Sequence, residues 1–161
     1  MKAAGILFVF LSFTFAGFYY YIKNISVLKS IKRAEDFLST VLLCLKDEQM
    51  TVSEILLTAK ENSDFETDIF LKSIEPYNLK NAAKMAEKCG FSKSKAITEI
   101  LNKVFSVLGK YSNEEQIKEI SFCREKLNNL YKKTEEETKQ RAKLSAYSGL
   151  LGGFLAVILL L

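Results

Sequence analysis

Apolar residues follow three regimes along this chain. Ala3 to Ile22, AAGILFVFLSFTFAGFYYYI, is a run of 20 residues without a charge, and Leu144 to Leu161 is a second such run of 18. As helices rising about 1.5 Å per residue they are about 30 Å and 27 Å long, close to the hydrocarbon thickness of a bilayer. Between them the pattern becomes amphipathic. In ISVLKSIKRAEDFLSTVLLCLK, Leu28, Ile31, Leu38, Val41, Leu42 and Leu45 share one stripe at steps of three and four residues, while Lys29, Lys32, Arg33 and Asp36 fall elsewhere. That spacing predicts a helix leaving the first apolar run with one face for a protein core; a helix lying on a membrane surface is the alternative use of the same moment.

Later boundaries are predicted from capping chemistry. In a capping box a Ser or Thr oxygen accepts a backbone N–H while a Glu three residues on reaches back. Thr51 with Glu54, Ser63 with Glu66, and Ser112 with Glu115 fit it, each ahead of a helical stripe: Ile55, Leu56 and Ala59; Phe65, Ile69, Phe70 and Ile74, stopped near Pro76; and Ile117, Ile120, Cys123, Leu127, Leu130 and Tyr131. Two further helices, Leu79 to Cys89 and Lys93 to Leu108, are expected to stop at Gly90 and Gly109. The second carries Ile97, Ile100, Leu101, Val104, Phe105 and Leu108 inward. From Asn113 no breaker occurs before Gly149, so the last helix should run into the second apolar segment. Its stretch KKTEEETKQRAK is polar all round, laced by pairs such as Glu135 with Lys139, and predicts a solvated stalk.

The expected fold is therefore all-α: a cytosolic bundle of about six helices over residues 23–143, ending in a long charged helix, between transmembrane helices at residues 1–22 and 144–161. Charge decides the orientation. All 19 acidic residues and 22 of the 23 Lys and Arg lie between Lys23 and Lys143, a surplus of 22 − 19 = +3 that leaves only Lys2 outside. Eleven basic residues flank the inner ends of the two spans, which should hold the middle in the cytosol. Thr14-Phe15-Ala16 offers a signal-peptide cleavage alternative, but the run is longer than an ordinary signal core, and Tyr19, Tyr20, Tyr21 and Lys23 suit an interfacial anchor.

Composition then removes chemistry. With no His, the Ser-His, Cys-His and His-ligated metal sites have no imidazole in this chain. Cys44, Cys89 and Cys123 form no C-x-x-C, and an odd count suggests reduced thiols rather than a disulfide framework. Gly109-Lys110 lacks the upstream Gly and following Ser or Thr of a phosphate loop. Consecutive Glu135, Glu136 and Glu137 point about 100° apart on a helix and cannot converge on one ion. A small, dispersed basic surplus does not make a nucleic-acid groove. No catalytic residue, cofactor or metal site is assigned, and the chain is expected not to be an enzyme. In the tail, Ser145, Gly149 and Gly153 recur every fourth residue and Gly152 continues a second row from Ser148, a spacing that lets another helix approach closely in lipid.

A short apolar start, a helical middle, LGKYSNEEQ at Leu108 to Gln116, a long charged helix and the ending SGLLGGFLAVILLL together resemble the stage III sporulation protein AB family of endospore-forming bacteria. The family pattern there is approximately Leu-Gly-x-x-Asp-x-x-x-Gln; Leu108, Gly109 and Gln116 match, while Ser112 replaces the Asp, another capping residue but one without charge. The resemblance implies a membrane protein, in the mother-cell membrane around the forespore, belonging to a channel that links the two cells. It also implies a cytosolic domain similar to type II secretion F proteins, and work beside a separate secretion-type ATPase. The partners so implied are other channel proteins, that ATPase and membrane lipid, with a homo-oligomer as a further form. The candidate partner-binding corner is Leu108, Gly109, Ser112, Glu114, Glu115 and Gln116; a purely structural corner is the competing reading. The rival function is a membrane-tethered sensor with a small-ligand pocket inside the bundle.

Overall fold

In the computed structural model, residues 2–47, 50–75 and 78–160 are described; within them the side chains of 2–11, 13–21, 23–24, 65, 145–146, 148–150 and 152–160 are not. The described chain is helical without strands: α1 (Lys2–Leu45), α2 (Val52–Glu61), α3 (Phe65–Ser73), a 3-10 turn (Leu79–Asn81), α4 (Ala82–Lys88), α5 (Lys95–Val107) and α6 (Asn113–Leu160). The first apolar run and the amphipathic stretch after it are one helix, α1, and α6 likewise continues through the second run. Among the described residues no helix is long and apolar enough to cross a membrane. Both apolar runs fall almost wholly on positions whose side chains lie outside the described ones.

Two compact units divide the chain, Met1–Ser26 with Lys133–Leu161, and Val27–Lys132. In the first, Glu135 pairs with Lys139 at 2.8 Å and Glu137 with Arg141 at 3.9 Å, at the spacing of one helical turn. The predicted stalk is not solvated all round. Thr138 is buried, its hydroxyl donating to the Thr134 carbonyl at 2.7 Å. A short side chain that returns its proton to the preceding turn can sit on a packed face, which charge counting alone does not reveal.

The second unit owes its core to the stripes. Ile31, Leu38 and Val41 of α1, Ile55 and Leu56 of α2, Phe70 of α3, Ile97, Leu101 and Val104 of α5, and Ile120 and Leu127 of α6 are all at most 1% exposed. Four rings from distant parts of the sequence meet at its centre. Phe70 and Phe91 stack at 4.9 Å, Phe37 stands edge-on to both, and Phe105 tilts against Phe70 at 5.9 Å. Such pairs add about 0.5–1.5 kcal/mol each beyond area burial. Helix α4 is short and lies against α5; its inner face is Ala82, Ala83 and Ala86, small enough for close approach.

Polar side chains tie elements of this unit together. The buried Ser30 hydroxyl donates to the Phe91 carbonyl at 2.6 Å and accepts from the Lys93 N–H at 3.1 Å, tying α1 to the turn after Gly90. Arg33 of α1 pairs with Asp64 at 2.8 Å and with Glu66, and Lys93 approaches Glu66 at 3.8 Å. This explains a departure from the predicted caps. Asp64, not Ser63, caps α3, accepting from the Thr67 N–H at 2.9 Å, while Ser63 returns its proton to the Lys60 carbonyl and closes α2. A carboxylate suits the positive end of a helix better than a hydroxyl, and Glu66 is occupied by Arg33 instead of reaching back. Pro76, the expected stop of α3, lies outside the described residues; the helix closes at Ser73.

Candidate functional site

The corner between α5 and α6 is built by backbone geometry first. The capping residue Leu108 is extended, and Gly109 follows at φ +75°, a left-handed conformation that side chains with a Cβ adopt only with strain. Space enforces the same choice. A Cβ on Gly109 would lie 2.8 Å from Cγ2 of Val52, where α2 begins. Ser112 and Glu115 then form the expected capping box: the Glu115 carboxylate accepts from the Ser112 N–H at 3.3 Å and its hydroxyl at 3.1 Å, and the Ser112 hydroxyl accepts from the Glu115 N–H at 3.4 Å.

Gln116 closes the loop from within. It is 8% exposed; its Oε1 accepts from the Gly109 N–H at 2.9 Å and its Nε2 donates to the Tyr111 carbonyl at 2.8 Å. Asn113 donates to the Leu45 carbonyl at 2.7 Å, binding the start of α6 to the end of α1. The six sequence-predicted residues are therefore brought together, but they divide in two. Leu108, which is buried, and Gln116 face inward and hold the corner, whereas Gly109, Ser112, Glu114 and Glu115 are exposed, with Glu115 committed to the cap. The solvent-facing surface of the corner is completed by Lys110 and by Tyr111, 57% exposed.

Beside it runs an open groove of about 970 Å³, with Val52, Leu79 and Phe105 among its apolar lining and Lys80, Lys103 and Lys110 among its polar lining. Lys103 is held by Glu119 at 2.5 Å, a hydrogen bond that raises the lysine's pKa and lowers the carboxylate's. Lys103 also sits 5.3 Å above the Phe122 ring, which Lys126 approaches at 4.6 Å. Sequence reasoning missed this groove. Lys80 comes from the 3-10 turn, Lys103 from α5 and Lys110 from the loop after it, and only Lys110 lies beside a recognisable motif, so no spacing marks their convergence.

Elsewhere, Cys44 and Cys123 are buried, and burial pushes both thiols up, away from the nucleophilic thiolate. Among the described residues no group of three or more Cys, Asp or Glu is placed to hold a metal ion. Ser145, Gly149, Gly152 and Gly153 belong to α6, but their surroundings lie outside the described residues.

The sequence profile of the stage III sporulation protein AB family matches residues 2–161. No curated protein and no solved structure matches the chain. The match runs through the whole arrangement just built, including the α5–α6 corner where Gln116 holds the Gly109 N–H, and the chain accordingly belongs to the stage III sporulation protein AB family.

Proposed function

We propose that this sporulation protein is a membrane-anchored platform in the channel between mother cell and forespore, its helical domain displayed to the mother-cell cytosol and engaging partner proteins, a secretion-type ATPase among them. It acts by binding and catalyses no reaction. The observation that carries the reading is the continuity of α1 and α6, the two longest helices, each of which contributes to the apolar core at one end and contains a bilayer-length uncharged run at the other. Such an arrangement suits a domain held close to a membrane. The eleven flanking basic residues favour retention of the charged middle on the cytosolic side, and the apolar runs supply lipid contact.

The exposed part of the α5–α6 corner is the partner surface in this reading, with Tyr111 as its aromatic anchor and Glu114, which forms no ion pair among the described residues, as its carboxylate. Glu115 is unsuited to a clean test because its charge reversal would also uncap α6. Replacing Glu114 with Lys and Tyr111 with Ala should weaken capture of the ATPase by the full-length chain from sporulating cells at least several-fold, with unaltered helical content. Undiminished capture removes the corner from the interface. Failure of wild-type chain to co-purify any channel protein removes the platform reading itself.

A further inference from the structure

The groove beside the corner has a composition that states what fits it. Its apolar lining comes from Val52, Leu79 and Phe105; its charged lining is Lys80, Lys103 and Lys110, and no Asp or Glu is among its described lining residues. One of these lysines is neutralised, because Lys103 is paired with Glu119. Lys80 and Lys110 form no ion pair among the described residues, and both are exposed. Two ammonium groups with no ion pair among the described residues, beside an apolar trough, give the described lining of the groove a positive sign, whereas the corner next to it presents Glu114.

From this charge complementarity, and resting on the platform reading above, we infer that the groove docks an acidic amphipathic segment of a partner protein, apolar side chains down into the trough and carboxylates against Lys80 and Lys110. The apolar floor supplies affinity through burial, and the lysines supply orientation and association rate. A purely anionic ligand, such as a phosphate or a nucleic-acid backbone, would leave the trough unfilled. A basic segment would meet like charge.

Three fluorescent 14-residue peptides separate these cases when titrated against the full-length chain in detergent: an amphipathic Glu/Leu helix, its Lys/Leu counterpart, and poly-glutamate. The Glu/Leu peptide should bind best, lose affinity as salt is raised, and lose about tenfold on the double substitution Lys80→Glu and Lys110→Glu. Both positions are exposed and outside the core, and thermal melting confirms that the variant folds. Two neutral replacements, Lys80→Gln and Lys110→Gln, should give an intermediate loss. Equal binding of poly-glutamate reduces the groove to a counterion patch and overturns the inference, as does preference for the Lys/Leu peptide or indifference to the lysine substitutions. Those outcomes leave the platform reading untouched, since it stands or falls on co-purification of channel proteins.

Discussion

Gly109 carries two demands at one position. Its φ of +75° costs a residue with a Cβ about 1–2 kcal/mol, and the Cβ itself would press on Val52 at 2.8 Å. Gly90 has nearly the same backbone, φ +78°, but there the nearest atom to a built Cβ is 4.0 Å away, the end of Lys93. Replacing each with Ala in the full-length chain should therefore lower the melting temperature at both sites and more at Gly109. Equal losses would mean that Val52 yields freely. Gln116 stands beside it as the residue whose role was hardest to read. A glutamine near the start of a charged helix is ordinarily solvated, and only the folded loop turns its amide back onto the Gly109 N–H and the Tyr111 carbonyl. Gln116→Leu keeps the volume but leaves both backbone groups unpaired, and should cost about 1–3 kcal/mol in denaturant unfolding. A cost below a few tenths of a kcal/mol would show water replacing the amide without penalty.

At the scale of elements, caps and stripes were legible because both are local. Thr51 with Glu54 and Ser112 with Glu115 form the boxes their spacing implies, and Gly90 and Gly109 end α4 and α5. The third box failed because its fourth member was drawn away: Arg33, thirty-odd residues earlier, takes Glu66, and Asp64 caps instead. Asp64→Ala should consequently cost about 1 kcal/mol or more in thermal unfolding, and Ser63→Ala less. If Ser63→Ala proves the costlier, the hydroxyl is the cap. The Thr51 box has a pH signature. The backbone and hydroxyl of Thr51 donate to the Glu54 carboxylate, holding its pKa below the usual 4.5. A lowered folded pKa contributes stability that is complete above the unfolded value and is lost as pH falls through the folded one. Glu54→Gln keeps an acceptor but no titrating group, so its unfolding should be less pH-dependent than the wild type below about pH 4.5. Parallel pH profiles would show the box to be energetically silent.

For the whole molecule, the helices and their inward faces could be read in advance, but not what their packing brings together. Phe70 and Phe105 belong to separate predicted stripes, and in the fold they join Phe37 and Phe91 in one cluster; Lys80, Lys103 and Lys110 share no spacing, and they line one groove. Such convergence is set by the path of the chain in three dimensions, to which periodicity along one helix is blind. The charge partition, by contrast, is a property of the sequence as a whole, and it makes the most demanding prediction. If eleven basic residues hold the middle in the cytosol, Lys2 and Lys110 should lie on opposite sides of the membrane. Cys44 and Cys123 are buried and should stay silent toward a thiol reagent, so a Cys89→Ser background suffices. In that background Lys2→Cys should react with a membrane-impermeant maleimide in intact, vegetatively growing cells that express the chain, and Lys110→Cys only after permeabilisation. Reaction of Lys110→Cys in intact cells would invert the orientation and move both the corner and the groove away from any cytosolic ATPase. Protection of both sites until permeabilisation would instead show that the first apolar run does not cross, leaving the second to anchor the platform alone.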